Sequence, residues 1–331
     1  MCDEEKAEDK FGRLMFELFR RGRRMQKVLV TGGNIGNHVA ELLARQATSV
    51  RVLVRSLEPN RRWGDLGIEQ VAADAGNPVS LARAFEGTER FFSVSPLVEN
   101  LVELGNNTIE AAKNAGVRYI VRSSALGAGE KAITIGRLHR EVEKAIEASG
   151  IPYTVLQPNT FMQSYLRNAE TISKDRAFYL PMGNGKVSVI DVHDIAAVAV
   201  ACLTEPGHEG KTYVLAGPDA LSNYDVAEKL TTYLGRTITC VDVNPSQAEE
   251  TMKQAGMSTW IVRALLELFE ICKDGYANQL SPAVEQILKR KATSFEEFLG
   301  NNPGVFGESV REVHRLAERR RVASYEFKAQ V

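Results

Sequence analysis

Between Lys27 and Gly36 the chain reads Lys-Val-Leu-Val-Thr-Gly-Gly-Asn-Ile-Gly, a short apolar run that passes directly into glycines. An amphipathic stretch follows at once, with Ile35, Val39, Leu42 and Leu43 at i, i+4, i+7 and i+8 on one helical face. Strand, glycine turn and helix in that order aim the unpaired N–H groups and positive dipole end of the helix past the strand tip, a geometry that suits the pyrophosphate of a dinucleotide. The G-x-G-x-x-G spacing is absent, since only three residues separate Gly32 from Gly36. The pattern therefore speaks more firmly for the fold than for cofactor affinity.

From Lys27 onward, strand and helix patterns alternate as they do in a parallel sheet covered on both faces. Strands are predicted at 27–31, 50–54, 68–72, 90–94, 118–122 and 153–156, and helices at 35–46, 80–85, 98–115 and 134–149. Gly116 and Gly150 punctuate the ends of the last two helices. Further on, a helix is predicted over 161–172, a turn at Gly183–Gly185 and a strand over 187–190. A buried helix over 195–203, a strand over 212–215 and a helix from Ser222 to Leu234 follow. A strand over 237–243 and one or two helices over 247–272 complete the pattern. The fold class is α/β: a Rossmann-like, doubly wound parallel sheet with a smaller α/β substrate lobe. Its dinucleotide-binding core spans 25–158, and the lobe, interleaved with late core elements, spans 159–306.

Residues 1–24 differ in composition, passing from acidic to a stretch where Leu14, Phe16 and Phe19 lie among arginines. They read as a flexible extension with Met25 as an alternative start, or as a basic amphipathic anchor. Residues 307–331 read as a charged tail with a peripheral helix.

With 44% apolar and 25% charged residues in 331, the chain has the composition of a water-soluble domain with a sizeable core. A net charge of -1 gives no electrostatic reason to expect nucleic acid or an anionic membrane as a partner. Cys2, Cys202, Cys240 and Cys272 are too scattered for a CxxC pair or a disulfide framework, which suits a reducing cytoplasm and inert thiols. No apolar run is long enough to span a membrane, and no apolar signal core opens the chain.

Arg55 ends the second strand about twenty positions after the glycines, where an acidic residue binds the ribose hydroxyls of NAD and a basic one accepts the 2'-phosphate of NADP. Ser56, Arg61 and Arg62 stand close behind it, so NADP(H) is expected over NAD(H), unless Arg55 is a plain surface arginine. Asp74, after the third strand, is placed either to bond an adenine amine or to cap a turn. Ser93, Ser95 and Pro96 end the fourth strand and Ser123 the fifth, where short side chains leave room for nicotinamide.

None of the nine tyrosines has a lysine four positions later, so the Tyr-x-x-x-Lys pair that passes a proton to a carbonyl is missing. Acceptors such as quinones, azo compounds and cationic dyes need less help, because their reduced forms are delocalised or neutral and take protons from solvent. For these, orientation in a dry pocket supplies much of the rate. His139, in Arg137-Leu-His-Arg-Glu-Val-Glu143, is the candidate catalytic proton donor, or else a solvated helix residue. Asp191-Val-His-Asp194 has the look of a metal cluster but the spacing of a helix cap, so no metal is expected.

These residues resemble the NmrA-like, atypical short-chain dehydrogenases, which include NAD(P)H quinone oxidoreductases, azo-dye and triphenylmethane reductases, and redox-sensing regulators. The resemblance runs from about Met25 to Phe306. It is carried by VLVTGG, NIG and RVLVR, then NAGVRYIVRSSALGA and LHREVEKAIEASGIPYTVLQPNTFMQSYL, then VSVIDVHDIAAVAVACLTEPGHEGKTYVLAGPDALSNYDVAEKL and the late SFEEF. It implies Gly32, Gly33, Asn34, Ile35 and Gly36 at the pyrophosphate, Arg55 at the adenosine phosphate, and Ser93 to Pro96 with Ser123 at the ribose and nicotinamide. Gln157 and Pro158 would border the nicotinamide, and Asn159, Phe161 and Met162 the substrate.

The chain departs from the family's Gly-Ala-Thr-Gly by lacking two residues in that loop, a change that Gly32 and Gly33 can absorb through positive φ angles. The leading expectation is an NAD(P)H-dependent reductase of small electron-poor aromatic acceptors. The alternatives are an NADP(H)-sensing regulator without turnover, or a pseudo-enzyme with a weakened cofactor loop.

Overall fold

The structure is a computed structural model and describes residues 27–307. The 1–24 extension, and all but the first residue of the 307–331 tail, lie outside the described residues.

Seven strands form one parallel sheet: β1 Lys27–Thr31, β2 Ser49–Val54, β3 Glu69–Ala72, β4 Arg90–Val94, β5 Tyr119–Ser123, β6 Tyr153–Pro158 and, after two short strands described below, β9 Thr212–Leu215. Their spatial order is β3-β2-β1-β4-β5-β6-β9, and every pairing is parallel. The central strands are near-continuous apolar runs because helices cover both faces and neither face alternates with solvent. Within β1, Val28, Leu29 and Val30 are all buried.

On one face, α1 (Asn34–Arg45) packs its Ile35, Val39 and Leu43 against Val28, Val30, Val50 and Val52, beside the apolar α7 (Val192–Thr204). On the other face, α3 (Pro78–Phe85), α4 (Leu101–Asn114) and α5 (Thr134–Ser149) enclose Leu29, Phe91 and Ile120. A one-turn helix, α2 (Arg61–Asp65), seals the first face with Trp63, which the sequence pattern did not reveal. The α5 boundaries coincide with those predicted, and Gly150 ends the helix in the left-handed conformation.

The later chain builds a third apolar cluster around Tyr165, Phe178, Phe295 and Phe298. The 161–172 helix is instead a 3-10 segment, Met162–Asn168, running into a short α6, Ala169–Lys174. β7 (Ala177–Leu180) pairs in parallel with β11 (Thr239–Asp242), and β8 (Lys186–Val187) pairs antiparallel with β10 (Leu221–Ser222).

The strand expected over 187–190 stops at Val187 because the next backbone groups are claimed by loops. Ser188 N–H donates to Ala277 O at 3.0 Å, and Ile190 N–H to Thr160 O at 3.0 Å. Ser222 caps α8 (Asn223–Leu234) through a reciprocal bond with Asp225. The 247–272 stretch is two helices, α9 (Pro245–Gln254) and α10 (Thr259–Lys273), parted at Gly256. Two further short helices, α11 (Ala283–Leu288) and α12 (Phe295–Asn301), were not predicted.

Candidate functional site

The strand order reverses between β1 and β4, so their following loops diverge and leave a crevice beyond the carboxyl ends of the strands. The glycine loop borders it on one side and Ser93–Pro96 on the other. Thr31 Oγ1 donates to Phe92 O at 3.3 Å beneath it, joining the end of β1 to the middle of β4.

The three glycines divide the work of the shortened loop. Gly32 continues the sheet, its N–H donating to Leu53 O at 2.9 Å, and a Cβ there would lie 2.9 Å from that same oxygen. Gly33 turns the chain at φ 124°, ψ -171°, a region only glycine occupies without strain. Gly36 lets the helix lie on the strand, since a Cβ there would sit 1.8 Å from Thr31 O. Positive φ thus absorbs the shortening at Gly33 alone, not at both glycines as expected.

Helix α1 begins with no side-chain cap and no acidic residue in its first turn, leaving its first N–H groups and positive dipole end for an anion. Asn34 is exposed, whereas Ile35 is buried and has only its backbone to offer. The Gly33 N–H is already engaged, donating to Asn37 Oδ1 at 3.0 Å. These features fit a dinucleotide pyrophosphate held by the first turn of α1.

Arg55 is exposed just beyond β2 and forms no ion pair among the described residues. Arg62 is committed to Glu41 of α1 at 2.5 Å, which leaves Arg55 and Arg61 as the basic groups there able to meet a phosphate. Asp74 organises a turn: its Oδ1 accepts the Gly76 N–H at 2.8 Å, while Asn77, not Asp74, caps α3.

Beneath the other end of the crevice lies a polar network in otherwise apolar surroundings. Arg122 is fully buried on β5; its guanidinium donates to Ser93 Oγ at 3.1 Å, Ser95 Oγ at 2.9 Å and His139 Nδ1 at 3.3 Å, while its Nε has no partner. Glu143, one turn after His139, accepts from Ser124 Oγ at 2.5 Å, Gln157 Nε2 at 3.1 Å and Arg140 at 3.2 Å. Burial first, and the Arg122 charge second, push the His139 imidazole down to about 3, so the ring is neutral at physiological pH. His139, the candidate proton donor, lies against Arg122 near the end of β5, where a neutral ring keeps one N–H to donate. Burial also lowers Arg122, to about 10, where it stays charged.

Ser123 is buried at the end of β5, and Pro158 is buried at the end of β6 with its carbonyl accepting from Leu126 N–H at 2.9 Å. Of the three residues assigned to substrate, Phe161 is half-buried and available. Asn159 is spent within the protein, donating to Ala277 O at 2.8 Å and accepting from Thr160 N–H at 2.8 Å. Met162 is buried in the third apolar cluster. Neither side chain is free to meet a ligand, and both serve as walls.

Asp191 caps α7, accepting from His193 N–H at 2.9 Å and lying 2.8 Å from His193 Nδ1. No described residues form a group of three or more metal-ligating side chains, and no described helix is long and apolar enough to cross a membrane. Cys202, Cys240 and Cys272 are buried free thiols. The residues that sequence reasoning missed are Arg122, Glu143 and Asn37. The signal for Arg122 was present, as a charge inside the apolar run Tyr119-Ile-Val-Arg-Ser123.

Residues 24–299 match the pattern of the NmrA-like family. An NAD(P)H azoreductase from Xenophilus azovorans is 37% identical over 283 residues, covering 85% of this chain and 99% of that protein. A (4-alkanoyl-5-oxo-2,5-dihydrofuran-3-yl)methyl phosphate reductase from Streptomyces griseus subsp. griseus is 32% identical, covering 84% of this chain and 99% of that protein. Among solved structures, the NADPH complex of the Escherichia coli NADPH-dependent quinone oxidoreductase superposes with a TM-score of 0.75 at 28% identity, covering 83% of this chain and 99% of that one. The glycine crevice, the strand order and a sequence match running through nearly all the described residues agree, and the chain belongs to the NmrA-like family.

Proposed function

We propose that this chain is an NAD(P)H-dependent oxidoreductase that prefers NADPH and reduces a small, flat, electron-poor acceptor such as a quinone, an azo compound or a dye. The observation that carries this reading is the uncapped first turn of α1 beside the crevice, with Arg55 exposed just beyond β2 and the Arg122–His139 contact near the end of β5. Burial and the Arg122 charge hold the His139 imidazole well below its ordinary value, which suits acceptors whose reduced forms are protonated by water. The names of the azoreductase and the quinone oxidoreductase support the same class of acceptor.

Bound NADPH would supply two electrons and a hydrogen to the acceptor, which takes its balancing proton from solvent. The first turn of α1 would hold the pyrophosphate and Arg55 the 2'-phosphate. Ser93, Ser95, Pro96, Ser123 and Pro158 would shape the nicotinamide end. Phe161 would present an apolar face to the acceptor, with Asn159 and Met162 behind it, and the 159–306 segment would act as the substrate lobe. The chain's contribution is then orientation and exclusion of water.

One observation favours the rival reading of an NADP(H)-binding regulator or a chain with a weakened loop: Gly32 and Gly33 N–H are both engaged inside the protein. Titrating the purified protein with NADPH and NADH, then following NADPH consumption over a quinone and azo-dye panel, separates the readings. Tight NADPH binding with turnover is expected. Binding without reduction of any acceptor leaves the regulator, and no binding leaves the weakened loop.

A further inference from the structure

Arg122 is a buried cation with no carboxylate bonded to it among the described residues. The one acid near it, Glu143, has its oxygens engaged by Ser124, Gln157 and Arg140. A lone buried charge is costly unless something offsets it, and here the guanidinium is met only by two hydroxyls and an imidazole, with Nε left over. Arginine can only donate, so each of these groups must accept. That fixes the direction of every bond. His139 Nδ1 carries no proton, which leaves the proton on Nε2, and Ser95 Oγ accepts through a lone pair, which leaves its O–H to donate elsewhere. Neither Nε2 nor the Ser95 O–H has a partner among the described residues. Ser93, which receives the same guanidinium, is buried, whereas Ser95 is half-buried at the edge of the crevice.

We infer that Arg122 is a positioning residue that sets the His139 tautomer and polarises two unpartnered donors, the Ser95 O–H and the His139 Nε2–H, for the negative charge that builds on the acceptor as it is reduced. The inference rests on the reductase reading above. Its physical basis is electrostatic preorganisation: donors fixed beforehand, in a site of low dielectric, cost no reorganisation when charge appears. Arg122 itself touches nothing outside the protein, so its effect passes through Ser95 and His139. The same charge disfavours imidazolium and makes His139 a hydrogen-bond donor and not an acid. On the elements around the ring, Glu143 and Arg140 bond each other and their partners, and Glu267 of α10 bonds Thr134 at the start of α5.

The test begins with the 15N spectrum of the imidazoles in the whole protein, with and without NADPH. His139 should show one bare and one protonated ring nitrogen, with no titration between about pH 5 and pH 9. Arg122→Met should remove the donor that keeps Nδ1 bare, so that the two neutral tautomers mix. It should also lower kcat for quinone reduction about 10- to 100-fold, less than the loss of a direct donor, while NADPH affinity stays within about 2-fold. His139→Gln, whose amide can accept from Arg122 and still donate, should keep more of the rate than His139→Phe.

A wild-type ring that titrates near its ordinary value, or an Arg122→Met protein with unchanged kcat, would overturn the inference. The wild-type spectrum requires no variant to fold and no acceptor. If no acceptor is reduced, the proposed function fails, while the spectrum still decides whether Arg122 sets the tautomer.

Discussion

The Asn37 carboxamide accepts the Gly33 N–H at 3.0 Å, so a side chain from the first turn of α1 occupies the backbone donor just before that helix. In a loop already shortened, this contact would compete with a pyrophosphate bound there. Asn37→Ala should free the donor and tighten NADPH binding by roughly 2- to 10-fold, the value of one net hydrogen bond. Calorimetric titration of both proteins checks this, and weaker binding by the variant would mean that Asn37 instead holds the loop in its binding shape.

Arg55 provides the test of cofactor choice. An exposed guanidinium can meet a 2'-phosphate but has no comparable partner on the ribose hydroxyls of NADH. Arg55→Ala should therefore weaken NADPH by about 10-fold or more, as expected for loss of a charge-assisted bond, and NADH by much less. Equal losses for the two cofactors would contradict the phosphate assignment, as would a difference that persists unchanged in high salt.

The sheet was legible because its strands are apolar runs bounded by glycine and proline, and because Ile35, Val39 and Leu43 repeat with helical spacing. The lobe was less so. Val187-Ser-Val-Ile190 has strand composition, but its backbone partners come from loops distant in sequence, such as Ala277 and Thr160, which no local pattern reports. The same holds within the site. His139 was visible as a residue, but its protonation state depends first on burial and then on Arg122, seventeen positions away and across a strand–helix interface. Asn159 looked like a ligand contact until Ala277 was brought against it. Helix α5 has no cap of its own; Glu267 of α10 supplies one, accepting from Thr134 N–H at 2.7 Å, and nothing near Thr134 in sequence foretells it.

Two glycine substitutions separate steric from conformational demands in the loop. At Gly36 an alanine Cβ would fall 1.8 Å from Thr31 O, so α1 must lift from β1. Gly36→Ala should cost about 1–3 kcal/mol or more by denaturant unfolding, the range for overpacking. At Gly33 an added Cβ meets no atom within 4 Å, but the backbone stands at φ 124°. Gly33→Ala should also cost about 1–3 kcal/mol, through strain alone. NADPH should restore stability to whichever variant still binds it. A Gly36→Ala protein as stable as wild type would mean that the strand and helix are less closely packed than described.

His38 of α1 and His193 of α7 face each other with ring centroids 4.1 Å apart, and their proton affinities are pushed in opposite directions. The hydrogen bond to Asp191 raises His193. Burial, then the nearby His193, lowers His38. A raised histidine contributes stability that is fully present below its unfolded value of about 6.5 and fades as pH climbs through the higher folded value. A lowered histidine does the reverse, resisting protonation in the fold and costing stability as pH drops below about 6.5. The two oppose each other, which flattens the dependence near neutrality. Removing only the opposing member should expose the other, so His38→Gln should gain stability relative to wild type at about pH 5.5, and the gain should shrink by about pH 8. Thermal unfolding of the two proteins across that window measures the difference. A gap that does not change with pH would mean that the contact between the rings is steric and carries no coupling between their protons.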